Sequence, residues 1–327
     1  MSSIEGSRVL VTGGAGHIGS HVVDELLQTG VDKVVIYDNM SEGRASNLAH
    51  IANDKRLEIW RDDIRDPEDL EVAMRGCDYV FHVASVLLLE CRDHPLKAID
   101  VNIRGTFNVL QAAVKNGVKK VVFSSTGSVY GEPLFLPMTE DHPYNSEIIY
   151  GTTKIAGEHL LRNFYQEHGL EYVGLRYFNV YGPRQHYKGA YAQIIPKWID
   201  RIQAGEALVI HGDGSQTMDM TYVADIARSN VLALKSDVTN DFINVGTGTA
   251  TSVLEVAQIM MEVSGSTLPL TFIPQDVNLV KRRQCSIEKA KQLLGFEAQI
   301  GVKEGIRRYY QWRQELAQAK FKGAVIG

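Results

Sequence analysis

Short β-branched, apolar runs alternate with stretches whose apolar positions recur at helical spacing, and this alternation governs the first two thirds of the chain. Arg8 to Thr12 (Arg-Val-Leu-Val-Thr) is the first such run. A glycine-rich turn follows, then a helical pattern carried by Ile18, Val22, Val23, Leu26 and Leu27. The same pairing of run and helix continues through Val34-Val35-Ile36-Tyr37, Leu57-Glu58-Ile59-Trp60, Tyr79 to Ala84 and Lys120-Val121-Val122-Phe123. Pro95 opens a helix that carries Val101 to Thr106 and runs to about Asn116. Strands regularly separated by helices predict an α/β fold, a doubly wound parallel sheet whose ligands bind at the carboxyl ends of its strands.

The last third mixes two units. Thr221 to Ala227 starts a helix, and Asp241 to Gly246 reads as a further strand returning to the first sheet. Ser252 to Val263 is an amphipathic helix whose stripe Val253, Val256, Ile259 and Met260 belongs to a core. Leu268 to Ile273, Ser286 to Leu294 and Val302 to Leu316 complete a smaller lobe, with Ser286 as a helix cap, Lys289 and Lys291 solvated, and residues 320–327 a loose tail. The predicted division is residues 1–178, joined by returning segments over about 219–247, against 179–218 and 248–327. The run Val86-Leu87-Leu88-Leu89 is unusually apolar for a loop and is expected either to extend the core or to wall a ligand site.

Composition narrows the class. The chain has 327 residues, 44% hydrophobic and 22% charged, an ordinary globular balance with room for a large core. Its net charge of -5 gives no footprint for nucleic acid or an anionic membrane, so an anionic ligand needs a local site, for which Lys281-Arg282-Arg283 is one candidate. Three widely spaced cysteines, Cys77, Cys91 and Cys285, fit neither a disulfide framework nor a zinc motif and read as free thiols in a reducing compartment. With no leader-like start and no apolar run long enough to span a bilayer, the expectation is a cytoplasmic protein. The histidines show no metal spacing. His17 and His21, four apart, read as packing residues beside the glycine turn.

Two stretches carry chemistry. In Gly13-Gly14-Ala15-Gly16-His17-Ile18-Gly19, glycines at 13, 16 and 19 permit a tight turn, close backbone approach to a pyrophosphate and close packing of helix on strand, while the helix N-terminus attracts phosphate charge. The pattern follows a strand, opens a helix and is answered by Asp38 at the end of the second strand. An acid there accepts the ribose hydroxyls of an adenosine and repels a 2′-phosphate, which favours NAD over NADP. Asp62 or Asp63 is placed to reach the adenine. The second stretch is Tyr150-Gly151-Thr152-Thr153-Lys154. On a helix, Tyr150 and Lys154 project from one face on successive turns, and an ammonium beside a phenol favours the phenolate, which would bring the base towards neutral pH.

These motifs, with Asn102 and Gly105-Thr106, Ser124 to Gly131, Arg176-Tyr177-Phe178-Asn179-Val180-Tyr181-Gly182-Pro183-Arg184-Gln185 and His211 to Thr217, resemble the extended short-chain dehydrogenase/reductases, in particular the NAD-dependent nucleotide-sugar epimerases and dehydratases. The resemblance covers nearly the whole chain in the right order. It implies a Rossmann domain with a smaller mixed α/β substrate lobe. It also implies cofactor contacts from Gly13, Gly16, His17, Ile18, Gly19, Asp38, Asn39, Asp63, Ile64, Val83, Ala84, Asn102, Ser124, Tyr150, Lys154 and Tyr177. Tyr150 is similar to the catalytic base, Lys154 to its partner on the nicotinamide ribose, and Thr126 to the hydroxyl that bonds the sugar 4-hydroxyl. Asn179, Ile195 and Arg282 match substrate-binding positions, and no metal is implied.

The resemblance also bears on the reaction. Similar 4,6-dehydratases carry an Asp-Glu pair after the position of Thr126, and similar decarboxylases a glutamate; here Gly127-Ser128 stand there, which favours a 4-epimerase that returns the hydride. A dehydratase using Glu132, Glu140 or Glu90, a net C4 dehydrogenase, and a catalytically silent NAD-binding regulator are the alternatives. Asn179, where uronic acid epimerases usually have threonine, favours a neutral sugar. The run Arg184 to Ala192 with Ile195 to Trp198 looks most like epimerases of UDP-N-acetylhexosamines. Met218 replaces the family's diphosphate-binding arginine, leaving Arg282 as the remaining clamp. Homodimerisation through helices at about 95 to 115 and 149 to 168 is implied as well.

Overall fold

A computed structural model describes residues 4–186, 193–274 and 282–321; the expected features at Tyr187 to Ala192, at Val280-Lys281 and at the end of the tail lie outside these residues. Six strands, β1 (Arg8–Thr12), β2 (Lys33–Tyr37), β3 (Leu57–Trp60), β4 (Tyr79–His82), β5 (Lys120–Thr126) and β6 (Glu171–Tyr177), form a seven-stranded sheet with the returning strand Asp241–Val245. From one edge the order is Asp241–Val245, β6, β5, β4, β1, β2, β3, and every pairing is parallel. The chain winds outward from β1 to β3, then crosses back to place β4 on the other side of β1. The crevice beyond the carboxyl ends of β1 and β4 is therefore the switch point where a doubly wound sheet binds ligands.

Side-chain alternation explains why the strands read as continuous apolar runs. Val9 and Val11 enter one core and Leu10 the other, so both faces of β1 are buried. Helices His17–Leu27 and Val223–Lys235 cover the first face through Val22, Val23, Leu26, Ile226 and Val231. Helices Thr106–Lys115 and Ile149–His168 cover the second through Val109, Leu110, Leu161 and Phe164. A smaller core joins helices Ile194–Gln203, Val253–Ser264 and Val302–Phe321 to the parallel pair Leu208–His211 and Leu270–Ile273, centred on Trp198, Ile210, Met260 and Tyr309.

Three expectations need correction. The helix near 290 spans Glu288–Leu294 and packs Ala290 and Leu294 into the core of the large sheet, not into the smaller lobe. Its Lys289 is not solvated: Nζ donates to Asp241 Oδ1 at 2.6 Å and to the Phe242 carbonyl at 3.0 Å, tying the helix to the returning strand. Ser286 is not its N-cap, which is Ile287, though Ser286 Oγ accepts the Glu288 N–H at 3.5 Å. The apolar run 86–89 divides, since Val86 is buried while Leu87 and Leu88 are exposed as helix Leu88–Asp93 begins.

Candidate active site

The glycine turn is built by sterics. Gly13 has φ +67°, and a Cβ there would lie 2.9 Å from the backbone of Ala84, while one on Gly19 would run into the Gly13 carbonyl oxygen. The turn thus fits only without side chains, and it delivers helix His17–Leu27 with an extended Gly16 as N-cap and no side chain capping its first N–H groups. Asp38 is buried at the end of β2 and accepts the N–H groups of Ala15 at 2.9 Å and Met40 at 2.8 Å. Burial pushes its carboxyl up, against the pull of those two donors. Nε2 of His17 is buried with no partner beside this uncapped terminus. An open anion cradle, an orphan imidazole and an acid at the strand end fit the pyrophosphate and ribose of NAD, and Asn39, bonded to Asp63 at 2.6 Å, extends the same edge. Burial would raise Asp63, but hydrogen bonds from Arg65 and Asn39 outweigh it and hold the carboxyl near about 2.

Several expected cofactor positions are hydrogen-bonded within the protein and hold the floor of the crevice. Thr12 Oγ1 accepts the N–H groups of Val83 and Ala84 at 3.1 and 3.2 Å and meets His82 Nδ1 at 2.8 Å, while His82 Nε2 meets Thr106 Oγ1 at 2.9 Å. Burial and then Lys154 hold the His82 imidazole down to about 3. Asn102 sits in a π-helical stretch, Asp100–Gly105, and clamps the loop after β4 by accepting from Val86 N at 2.7 Å and donating to its carbonyl at 3.1 Å, and it also donates to Thr153 Oγ1 at 3.0 Å. Tyr177 lies buried on β6 with its hydroxyl between Ser124 Oγ at 3.0 Å and Asn230 Oδ1 at 2.9 Å. Ile64 is buried, its side chain against Gly105.

Tyr150 and Lys154 do share one face of helix Ile149–His168, with Lys154 Nζ 5.9 Å from the Tyr150 ring centroid and bonded to the Ser124 carbonyl at 2.9 Å. Thr126, the last residue of β5, turns its Oγ1 to accept Ser128 N at 3.1 Å and also bonds the Tyr150 phenol. The electrostatics correct the simple expectation of a lowered phenol. Burial and then the neighbouring Cys91 push Tyr150 well above its usual value, and the Thr126 hydroxyl pulls back only in part. Burial also brings Lys154 down to about 8, despite Cys91 and Glu158. The protein alone stores a neutral phenol. Positive charge entering the crevice is what would release its proton.

One turn further along the same stripe, the fully buried Glu158 was missed by the sequence reading. It pairs with Arg176 through contacts of 2.7 and 3.0 Å and accepts from Ser125 at 2.5 Å and Tyr144 at 2.6 Å. Its spacing of four from Lys154, an acid inside a buried stripe, is the signal that could have found it.

The expected substrate residues separate. Asn179 has φ +30° and donates to the Asp219 carbonyl at 3.1 Å. Ile195 lies in the core of the smaller lobe. Arg282 is exposed on an extended segment, and its neighbour Arg283 turns inward to reach Ser128 Oγ at 3.5 Å. The three cysteines are buried and free; among the described residues no cluster of metal-binding side chains exists and no helix is long and apolar enough to cross a membrane.

A parallel doubly wound sheet with a phosphate-type glycine turn and a buried Ser/Thr, Tyr and Lys set at its carboxyl edge defines a nicotinamide-dependent enzyme of the short-chain dehydrogenase/reductase type. The chain belongs to the NAD dependent epimerase/dehydratase family, whose model matches residues 9–246, and its cofactor is NAD. It is similar to the UDP-glucose 4-epimerase of Thermotoga maritima, solved with UDP-glucose, at 34% identity and TM-score 0.89 over 95% of this chain and 99% of that one. It is similar also to the UDP-N-acetylglucosamine 4-epimerase of Methanobrevibacter ruminantium M1, solved with UDP-N-acetylmuramic acid, at 35% identity and TM-score 0.91 over 95% and 99%. UDP-glucuronic acid decarboxylase 6 of Arabidopsis thaliana is 32% identical over 91% of this chain and 86% of its own. The protein is thus a member of a group of enzymes acting on UDP-sugars as epimerases, decarboxylases or dehydratases.

Proposed function

We propose that the protein is a 4-epimerase of a UDP-linked hexose or hexosamine. The observation that carries this reading is the pairing of an intact Thr126, Tyr150 and Lys154 set with a neighbourhood lacking an elimination acid. A Cβ at Gly127 would lie 2.7 Å from the Phe178 ring, so the first acid of a dehydratase pair has no room there. Ser128 in the next position cannot shuttle a proton near neutral pH. Of the other candidate acids, Glu140 accepts Asn244 N at 2.8 Å, Glu90 pairs with Lys97 at 2.6 Å, and Glu132 is exposed. An intact catalytic set also argues against a silent regulator.

In this reading Thr126 orients the sugar 4-hydroxyl, Tyr150 takes its proton, and Lys154, fixed by the Ser124 carbonyl, stabilises the phenolate. Bound NAD supplies the hydride acceptor and the positive ring charge. After the 4-keto sugar has turned its other face, Tyr150 gives the proton back. Asp38 with Asn39 is assigned to the ribose, the glycine turn with His17 to the pyrophosphate, and Arg282 to the sugar diphosphate.

A homodimer is proposed on the face where Leu96, Ile99, Ile103, Phe107 and Leu160 line an apolar hollow of about 440 Å³, with Leu96 79% exposed. Three free buried thiols suit a reducing compartment such as the cytoplasm. Incubation with UDP-glucose, UDP-N-acetylglucosamine and UDP-glucuronic acid, followed by chromatography and mass spectrometry, tests the reaction. C4 epimers of unchanged mass without net NADH are expected; loss of water, loss of carbon dioxide or stoichiometric NADH would overturn it.

A further inference from the structure

Between β6 and the smaller lobe, residues 182–186 form a strap that touches both elements of the cofactor cradle. On helix His17–Leu27, His21 Nε2 meets the Pro183 carbonyl at 3.2 Å, and Arg184 pairs with Asp24 at 2.8 Å. The other end of the same guanidinium, Nη2, stands 3.2 Å from His50 Nε2. On the loop that leaves Asp38, His186 Nδ1 pairs with Glu42 at 3.0 Å and lies 3.5 Å from Arg44 Nη2. His21 and Asp24 follow His17 by one and two turns on the helix that opens at the glycine turn. The loop is packed on the ribose acid, since a Cβ on Gly43 would lie 2.6 Å from an Asp38 carboxylate oxygen, and Arg44 N donates to the Ala15 carbonyl at 3.0 Å.

The strap is shaped for these contacts. Gly182 has φ +145°, and a Cβ there would lie 2.7 Å from Val223, so the close approach to helix Val223–Lys235 requires glycine. Arg184 takes φ +65°, a left-handed conformation unusual for a side chain of this size, and its partners on helix and turn offset that strain. Two residues of chain reach about 7 Å at most, so the anchors at Arg184 and His186 hold helix and loop at a short spacing. We propose that residues 182–186 are a latch on NAD: they tie the loop after Asp38 to the helix of the glycine turn, and the cofactor leaves only when that tie opens. The latch acts on the cofactor whatever the sugar chemistry. The 4-epimerase reading adds its use, because an enzyme that returns its hydride must keep the reduced cofactor between two half-reactions.

The test measures release of bound NADH, chased by excess NAD and followed by its fluorescence, at low and high salt. The wild type is compared with the double variant Arg184→Met, His186→Ala and with Lys303→Met, which breaks a remote exposed pair with Glu262; a melting transition is recorded for each. The two latch pairs are partly exposed, so removing both should speed release by about 2- to 30-fold. Salt should speed release from the wild type and have little effect on the double variant. Unchanged release in the double variant, an equal acceleration in Lys303→Met, or a wild-type rate indifferent to salt would overturn the latch. If the double variant fails to fold, Glu42→Gln, on the exposed loop, carries the comparison, and faster release with a weaker salt dependence is required of it. Failure to form C4 epimers would sink the epimerase reading and leave these release rates, and the latch, as they stand.

Discussion

Two regions of the crevice are suited to negative charge, and they are built in opposite ways. The glycine turn offers backbone: Gly13 and Gly19 exclude side chains, the first N–H groups of helix His17–Leu27 have no side-chain cap, and His17 Nε2 lies beside them without a partner. The sugar end offers a side chain, Arg283, reached from a segment more than a hundred residues from Tyr150 and aimed by strand-like pairing to Thr217. The first region is specified by shape and holds a part common to every dinucleotide. The second is specified by one buried charge.

The largest effect expected from breaking this contrast is at the backbone cradle. In Gly19→Ala the new methyl collides with the Gly13 carbonyl, so purified protein should carry no NAD and show no turnover, as read by NAD content and product chromatography. Tyr150→Phe keeps the cradle and removes the base; turnover should fall by roughly 10²- to 10⁴-fold with NAD retained and the melting temperature little changed. Glu158→Gln leaves the Arg176 guanidinium buried against a neutral group. Denaturant unfolding should show a loss approaching about 3 kcal/mol, the lower end for breaking a buried pair.

The smallest effect concerns pH. Burial and Arg184 hold His21 down to about 4, so between pH 6.5 and 4 the unfolded chain binds a proton that the native chain does not. Stability is therefore full above the unfolded value and is lost as pH falls through this window. At pH 5 His21→Gln, which can still donate to the Pro183 carbonyl, should recover about 1–2 kcal/mol relative to the wild type, with no gain at pH 8. Melting curves at the two pH values check it.

What was legible in the sequence follows the same divide. The sheet, the glycine turn and the face shared by Tyr150 and Lys154 depend on local periodicity and sterics, and the strands and helices formed as their apolar spacing dictates. The smaller errors arose where tertiary packing overrode local pattern: Lys289 reads as a surface lysine until the returning strand supplies Asp241 and the Phe242 carbonyl. The state of the Tyr150 phenol was misjudged because spacing reports a neighbouring ammonium but not burial, and burial is the larger influence. Asn102 and Tyr177, expected at the cofactor, also hydrogen-bond within the protein, which local spacing does not report. Arg283 stood beside Arg282 in the same basic cluster, and only the register of the extended segment decides which of the two faces inward.

The central claim is that hydride leaves C4 and returns to C4 with no other bond of the sugar broken. A UDP-hexose deuterated at C4, drawn from the acidic and neutral sugars above, tests it most directly. The account predicts a mixture of both C4 epimers, each retaining deuterium at C4, with no accumulation of NADH and no loss of water or carbon dioxide. Deuterium washed out to solvent, or a product lighter than the substrate, would contradict it.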